Sequence, residues 1–134
     1  ERRNEPSEMQ RPDLHRRRLR EWVVLRAFGR ARAAAEGYSA ARERLLAPYH
    51  GYYYKVLRRQ GPNAPGGASN YVVNGHMTRG FALVAFPAKY GSSGVMTFIV
   101  SQDGIVFEKN LGTRTADIAR RMAEYDPDRS WKTP

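Results

Sequence analysis

A chain of 134 residues with 41% hydrophobic and 27% charged side chains has the length of one domain and its appendages. A chain of this size buries roughly two-thirds of its unfolded surface, so a core forms without staples. It contains no cysteine, which excludes disulfides, thiolate zinc sites and cysteine nucleophiles. No apolar run approaches the length of a membrane-spanning helix. The formal charge of +10 directs attention to acidic partners. The first residue is Glu1 rather than methionine, as expected of a chain from which a leader or further sequence has been removed.

Composition changes near Pro48. Residues 1–48 hold only Gly29 and Gly37 of the twelve glycines, whereas residues 51–112 hold the other ten and most of the aromatics. The expected organisation is a helical, arginine-rich arm over residues 1–48 and an antiparallel sheet domain with a C-terminal helix over residues 49–134. Residues 1–12 lack periodicity and read as a lead-in. Asp13 is placed to cap a first turn, and from residue 14 to 36 the apolar positions Leu14, Leu19, Trp22, Val23, Leu25 and Phe28 recur at helical spacings. Gly37 stops that helix. A second short helix is predicted over residues 39–47, capped by Ser39 and ended by Pro48.

Residues 52–59 read as a first strand, and residues 60–70, QGPNAPGGASN, as a loop that continues neither strand nor helix. Residues 71–73 followed by Asn74-Gly75 predict a short strand at a hairpin tip. Residues 81–86, and residues 95–100 apart from Thr97, are apolar on both faces, the pattern of central strands covered on both sides. A turn at Asp103-Gly104 leads to residues 105–109, whose weaker alternation marks an edge. The last helix is predicted over residues 113–125, with Ile118, Met122 and Tyr125 inward, ended by Asp126-Pro127. The expected fold class is α+β: an antiparallel meander of three to four strands packed with a long N-terminal helix and a short C-terminal helix.

The chief partner signal is the basic segment. Seven arginines (Arg16, Arg17, Arg18, Arg20, Arg26, Arg30, Arg32) stand against one acid, Glu21, between residues 14 and 32. The partner-binding set expected from it is Arg16, Arg17, Arg18, Arg20, Trp22, Arg26 and Phe28, with Trp22 and Phe28 as apolar anchors. A solvated outer face of a core-packing helix is the ordinary alternative for such a charge run. An acidic or apolar protein surface is the expected partner, with nucleic acid or anionic lipid as the second choice. Arginine outnumbers lysine nineteen to four across the chain, which weakens any argument for arginine-specific recognition.

Other candidates read as structural. The 61–67 glycine loop lacks the lysine and hydroxyl residue of a phosphate-binding loop, and its prolines remove amide donors, which favours a rigid surface loop. Tyr49, Tyr52, Tyr53 and Tyr54 suit sheet packing better than base stacking, with Tyr52 and Tyr54 on one face and Tyr53 on the other. His15, His50 and His76 fall in separate elements with no metal-ligand spacing. Ser92, Ser93 and Ser101 lack a nucleophile elbow, and Asp126 and Asp128 suit a turn. No catalytic residue, cofactor, metal or small-molecule substrate is expected.

The stretches YHGYYYKVL, QGPNAPGG, NGHM-x-x-GFALVAFPA-x-YG, GVMTFIV-x-QDG and the closing DPD-x-x-W occur in that order over about residues 48–131. In this the chain resembles a bacterial family, domain of unknown function 2950, whose members look secreted or periplasmic. The arginine-rich stretch departs from that family's pattern. The resemblance implies a periplasmic or extracellular protein and brings no substrate, cofactor or catalytic residue. The order of helix, strand, loop, apolar strand ending in FPAKYG, then SGVMTFIV also resembles the globular heads of pilins and pseudopilins. Together these imply a non-enzymatic, envelope-associated structural or interaction protein. A polyanion-binding module and a cell-wall-acting enzyme are the alternatives.

Overall fold

The computed structural model describes the backbone of residues 46–49 and all atoms of residues 51–134. The predicted helix over residues 14–36 and the partner residues on it lie outside the described residues, as do residues 39–45 of the second predicted helix. Leu46 and Ala47, expected to close that second helix, instead belong to strand β1 (Leu46–Tyr49). β1 is an outer strand of its sheet, where a residue without an N–H, such as Pro48, is tolerated.

The alternation of the tyrosine block makes β2 (Tyr52–Leu57), and Arg59 and Gln60 form a short β3 (Arg59–Gln60). The loop that follows ends in β4 (Ser69–Asn70), antiparallel to β3. β5 (Val72–Val73) and β6 (His76–Met77) pair around Asn74 and Gly75, whose φ values of 52° and 78° are the left-handed geometry a tight hairpin needs. β7 (Ala82–Pro87), β8 (Thr97–Ser101) and β9 (Val106–Lys109) complete the main sheet, in the order β1-β2-β7-β8-β9 with every neighbour antiparallel. A 3-10 turn (Gly112–Arg114) leads into helix α1 (Thr115–Arg121), and β10 (Glu124–Tyr125) runs parallel to β3.

The sequence-based expectation of a mixed α+β domain with two strands buried on both sides is met, since every residue of β7 and β8 is buried, but the main sheet has five strands rather than three to four and β3 with β10 adds a parallel pair. The register sorts side chains into two clusters. Tyr52, Tyr54, Val56, Leu83, Ala85, Phe98 and Val100 line one face. On the other, Leu57, Ala82, Val84, Phe86 and Ile99 pack under Ala119 of α1, Tyr125 of β10, Tyr71 and Ala64. Val95, predicted to open a central strand, precedes β8 and is 41% exposed.

The C-terminal helix is shorter than predicted. Met122 is extended (ψ 128°), Ile118 is largely exposed, and the inward positions are Thr115 and Ala119. Tyr125 is buried by β10 rather than by a helix, because the chain must straighten to pair with Arg59 and Gln60. The ammonium of Lys55, on β2, donates to the carbonyls of Arg120 (2.6 Å) and Met122 (2.7 Å), satisfying acceptors that the helix end leaves open.

Thr97 is fully buried beside Phe86 on the face under α1, and its hydroxyl has no hydrogen-bond partner among the described residues. An unsatisfied buried hydroxyl costs free energy that a methyl does not. Thr97→Val is therefore expected to raise stability by about 1 kcal/mol, read as a higher urea midpoint with an unchanged denaturant slope.

Candidate functional site

Three of the sequence stretches meet at one corner of the sheet: the 60–67 loop, the end of α1 with β10, and the DPDRSW segment. Gln60 organises the loop. Its side-chain amide donates to the carbonyls of Pro65 (2.8 Å) and Gly67 (2.7 Å), and its oxygen accepts from the buried Tyr71 hydroxyl (2.9 Å). From the opposite side, a carboxylate oxygen of Asp126 accepts the Asn63 N–H (2.9 Å), and the Gly61 N–H bonds the Tyr125 carbonyl (2.9 Å). Gly61 is where the two segments touch: a Cβ there would stand 2.5 Å from the Asp126 carboxyl carbon. The loop is thus tied from both sides by hydrogen bonds to Gln60 and to the Tyr125–Asp126 segment.

The closing segment clasps the outer strand. Glu108 and Lys132 exchange backbone hydrogen bonds (2.6 and 3.0 Å), so the tail covers part of the free edge of β9. Asp128 accepts from both the N–H (2.8 Å) and the hydroxyl of Ser130. Those two bonds, the hydroxyl first, hold its carboxyl below the usual range, with Lys109 adding to them. The Lys109 ammonium donates to the Ser130 hydroxyl (2.8 Å) and lies 5.8 Å from the centre of the Trp131 ring.

Between these parts lies an open cleft of about 380 Å³ lined by Arg59, Ile99, Arg121, Met122, Ala123, Glu124, Asp126, Asp128 and Trp131. Ile99 and Met122 give it an apolar side. Arg59 donates to Glu124 (3.1 Å) in an exposed ion pair, and the two aspartates hold backbone. An ionised, doubly hydrogen-bonded Asp128 is an acceptor, not a proton donor, near neutral pH. Arg59, Glu124, Asp126 and Asp128 thus hold chain segments together, and Arg121 also lines the cleft.

The remaining sequence candidates are placed as follows. Arg16, Arg17, Arg18, Arg20, Trp22, Arg26 and Phe28 lie outside the described residues, as do His15, His50 and the side chain of Tyr49. Tyr52 and Tyr54 share one face and Tyr53 the other, as the alternation predicts. The Tyr52 hydroxyl donates to the Met96 carbonyl (2.9 Å), and the Tyr53 ring lies 5.7 Å from that of Phe86. The Ser93 hydroxyl ties the Gly51 carbonyl (2.8 Å), and that of Ser101 accepts the Asp103 N–H (3.3 Å). Among the described residues no group of three His, Asp or Glu side chains is arranged to hold a metal. No described helix is long and apolar enough to cross a membrane.

The family model that matches is described as a protein of unknown function, DUF2950, and it covers residues 27–133. The chain belongs to this family. The matched stretch holds every described element, whereas Arg16, Arg17, Arg18, Arg20, Trp22 and Arg26 all precede it. No curated protein and no solved structure matches the chain.

Sequence reasoning missed Gln60, Lys55 and the Arg59–Glu124 pair as organisers of this corner. Each acts on residues distant in sequence, and nothing local marks a glutamine or a lysine in a strand as the holder of a loop or a helix end.

Proposed function

We propose that this protein is a non-enzymatic, envelope-associated structural or interaction protein that meets its partner through the basic N-terminal segment. The observation that carries the proposal is the charge of that segment: residues 14–32 carry seven arginines and one acid. Charge so concentrated steers and holds an acidic surface. The family resemblance to secreted or periplasmic proteins supports a place in the cell envelope. The pilin-head-like order of elements supports a subunit role. The corner cleft adds support of another kind, because Arg59, Glu124, Asp126 and Asp128 are tied to neighbouring chain segments rather than aimed at a common point, as catalysis requires.

A second reading, a polyanion-binding module for nucleic acid or acidic lipid, is favoured by the net charge of +10. The two readings separate by salt dependence, since each neutralised phosphate releases counterions. Binding to random duplex DNA and to anionic vesicles is measured at low and at near-physiological salt. The interaction-protein reading expects weak binding to both, lost on adding salt. Tight binding that falls steeply with salt and is abolished by R16Q/R17Q/R18Q/R20Q establishes the second reading in its place.

A further inference from the structure

Not every polar group of the corner cleft is used up by the fold. The apolar side of the cleft is Ile99, itself buried, with Met122 and the half-buried Trp131. Around it stand two arginines and three carboxylates: Arg59, Arg121, Glu124, Asp126 and Asp128. Asp126 and Asp128 each hold backbone through Oδ1, which fixes the carboxylates and leaves the second oxygen of each with lone pairs to offer. The exposed Arg121 guanidinium has no hydrogen-bond or ion-pair partner among the described residues. The cleft therefore presents acceptors already held in place, a donor and an apolar patch side by side.

We propose that this cleft binds a neutral carbohydrate, a mono- or disaccharide unit whose C–H face rests on Trp131 and whose hydroxyls meet Arg121, Asp126 and Asp128. Charge narrows the class. Three carboxylates against two arginines disfavour an anion. Arg121 disfavours a cation, and so does Lys109, already 5.8 Å from the centre of the Trp131 ring. A neutral ligand with many hydroxyls escapes both penalties, because a hydroxyl donates to a carboxylate and accepts from a guanidinium. An extended peptide is less suited, since peptides are held through main-chain hydrogen bonds and the main chain here is already paired. The Met122 carbonyl accepts from Lys55 and that of Tyr125 from the Gly61 N–H. Those of Asp126 and Asp128 accept from the N–H groups of Asp128 and Trp131. The dispersal of the polar groups agrees. Groups spread around an apolar patch do not converge on one reacting atom, but they match hydroxyls spread around a sugar ring. The volume of about 380 Å³ is at the small end of ligand pockets, which run from about 300 to 1,000 Å³, and suits a ligand of one or two rings. The site lies wholly within residues 59–131, so it stands whether or not the basic N-terminal segment meets a partner.

Saturation-transfer NMR on the full chain tests this, with cellobiose, maltose and N,N′-diacetylchitobiose as probes. The expected result is transfer to the ring C–H protons of at least one of these disaccharides, lost in Trp131→Ala. Arg121→Ala is expected to weaken the same binding by about tenfold, through loss of a charged hydrogen bond. Arg114→Ala removes a cation outside the cleft and is expected to leave binding unchanged. Should Trp131→Ala fail to fold, Arg121→Ala decides alone, since its guanidinium holds nothing else among the described residues. No transfer to any of the three sugars overturns the proposal. Sugar binding that Arg121→Ala leaves intact also overturns it, because the sugar then sits elsewhere. So does an acetylated tetra-alanine amide that gives transfer as strong as the best sugar and loses it in Arg121→Ala, because the cleft is then a peptide site.

Discussion

Gln60→Ala is expected to lower the stability of the domain by about 3 kcal/mol, a large change for one side chain that contributes little apolar surface. The reason is position. The Gln60 amide is the partner of three groups at once, the carbonyls of Pro65 and Gly67 and the hydroxyl of Tyr71. The carbonyls lie on a surface loop, where water replaces the amide. Tyr71 is 0% exposed, so its hydroxyl is left buried beside an alanine methyl without an acceptor. That desolvated donor accounts for most of the loss. The cycle with Tyr71→Phe separates the two contributions: Tyr71→Phe alone is expected to cost about 1 kcal/mol, whereas in the Gln60→Ala background it removes the unpaired hydroxyl and is expected to restore about 1–2 kcal/mol. Urea midpoints of the four proteins measure this. Additive losses would mean that the hydroxyl and the amide do not depend on one another, and that the loop is held by Asp126 instead.

That dependence shows where the sequence is legible and where it is not. Residues 81–86 and 95–100 are recognisable as central strands because burial on both faces leaves a nearly unbroken apolar run, and the strands the structure forms there, β7 and β8, lie in the interior of the sheet, offset by one or two residues. Asn74-Gly75 is equally legible, because few residues tolerate the left-handed backbone of that hairpin. The end of α1 was not. Ile118, Met122 and Tyr125 have a helix-like spacing, but two-residue pairing with β3 is a long-range event that competes with the last helical turns and wins. Pro48 likewise reads locally as a helix stop, and only the sheet order reveals it as an edge-strand residue. The cleft between Arg59, Glu124 and the DPDRSW turn was invisible for the same reason. Arg59 is more than sixty residues from Glu124 and the turn, and each part has a sufficient local explanation as a strand, helix-end or turn residue.

Alkaline pH is expected to unfold this protein steeply, and the buried tyrosines are the cause. Burial pushes the Tyr52 phenol up to about 12, with Tyr54 and Glu108 adding to the effect. Burial also raises Tyr71, beside Tyr125 and Asp103, and raises Tyr125 despite the opposing hydrogen bond from Ser101. A phenol is neutral when protonated, so a raised value means the folded state keeps a proton that the unfolded chain releases near the ordinary value of 10. Below that value both states hold the proton and stability is fully present. Above it the unfolded chain binds fewer protons, and stability falls by about 1.4 kcal/mol per pH unit for each such tyrosine until the folded-state value is passed. Three groups acting together drive the transition between roughly pH 10 and 12. Phenolate absorbance should then rise in two steps, a gradual one for accessible tyrosines and a cooperative one that coincides with loss of the far-ultraviolet signal of the sheet. Tyr52→Phe makes the assignment specific. It loses the hydrogen bond to the Met96 carbonyl and is expected to be about 1 kcal/mol less stable at neutral pH, yet its stability should decline more gently above pH 10. An unchanged alkaline slope in that variant, or ionisation of all eight tyrosines before the sheet unfolds, would remove the buried phenols as the cause.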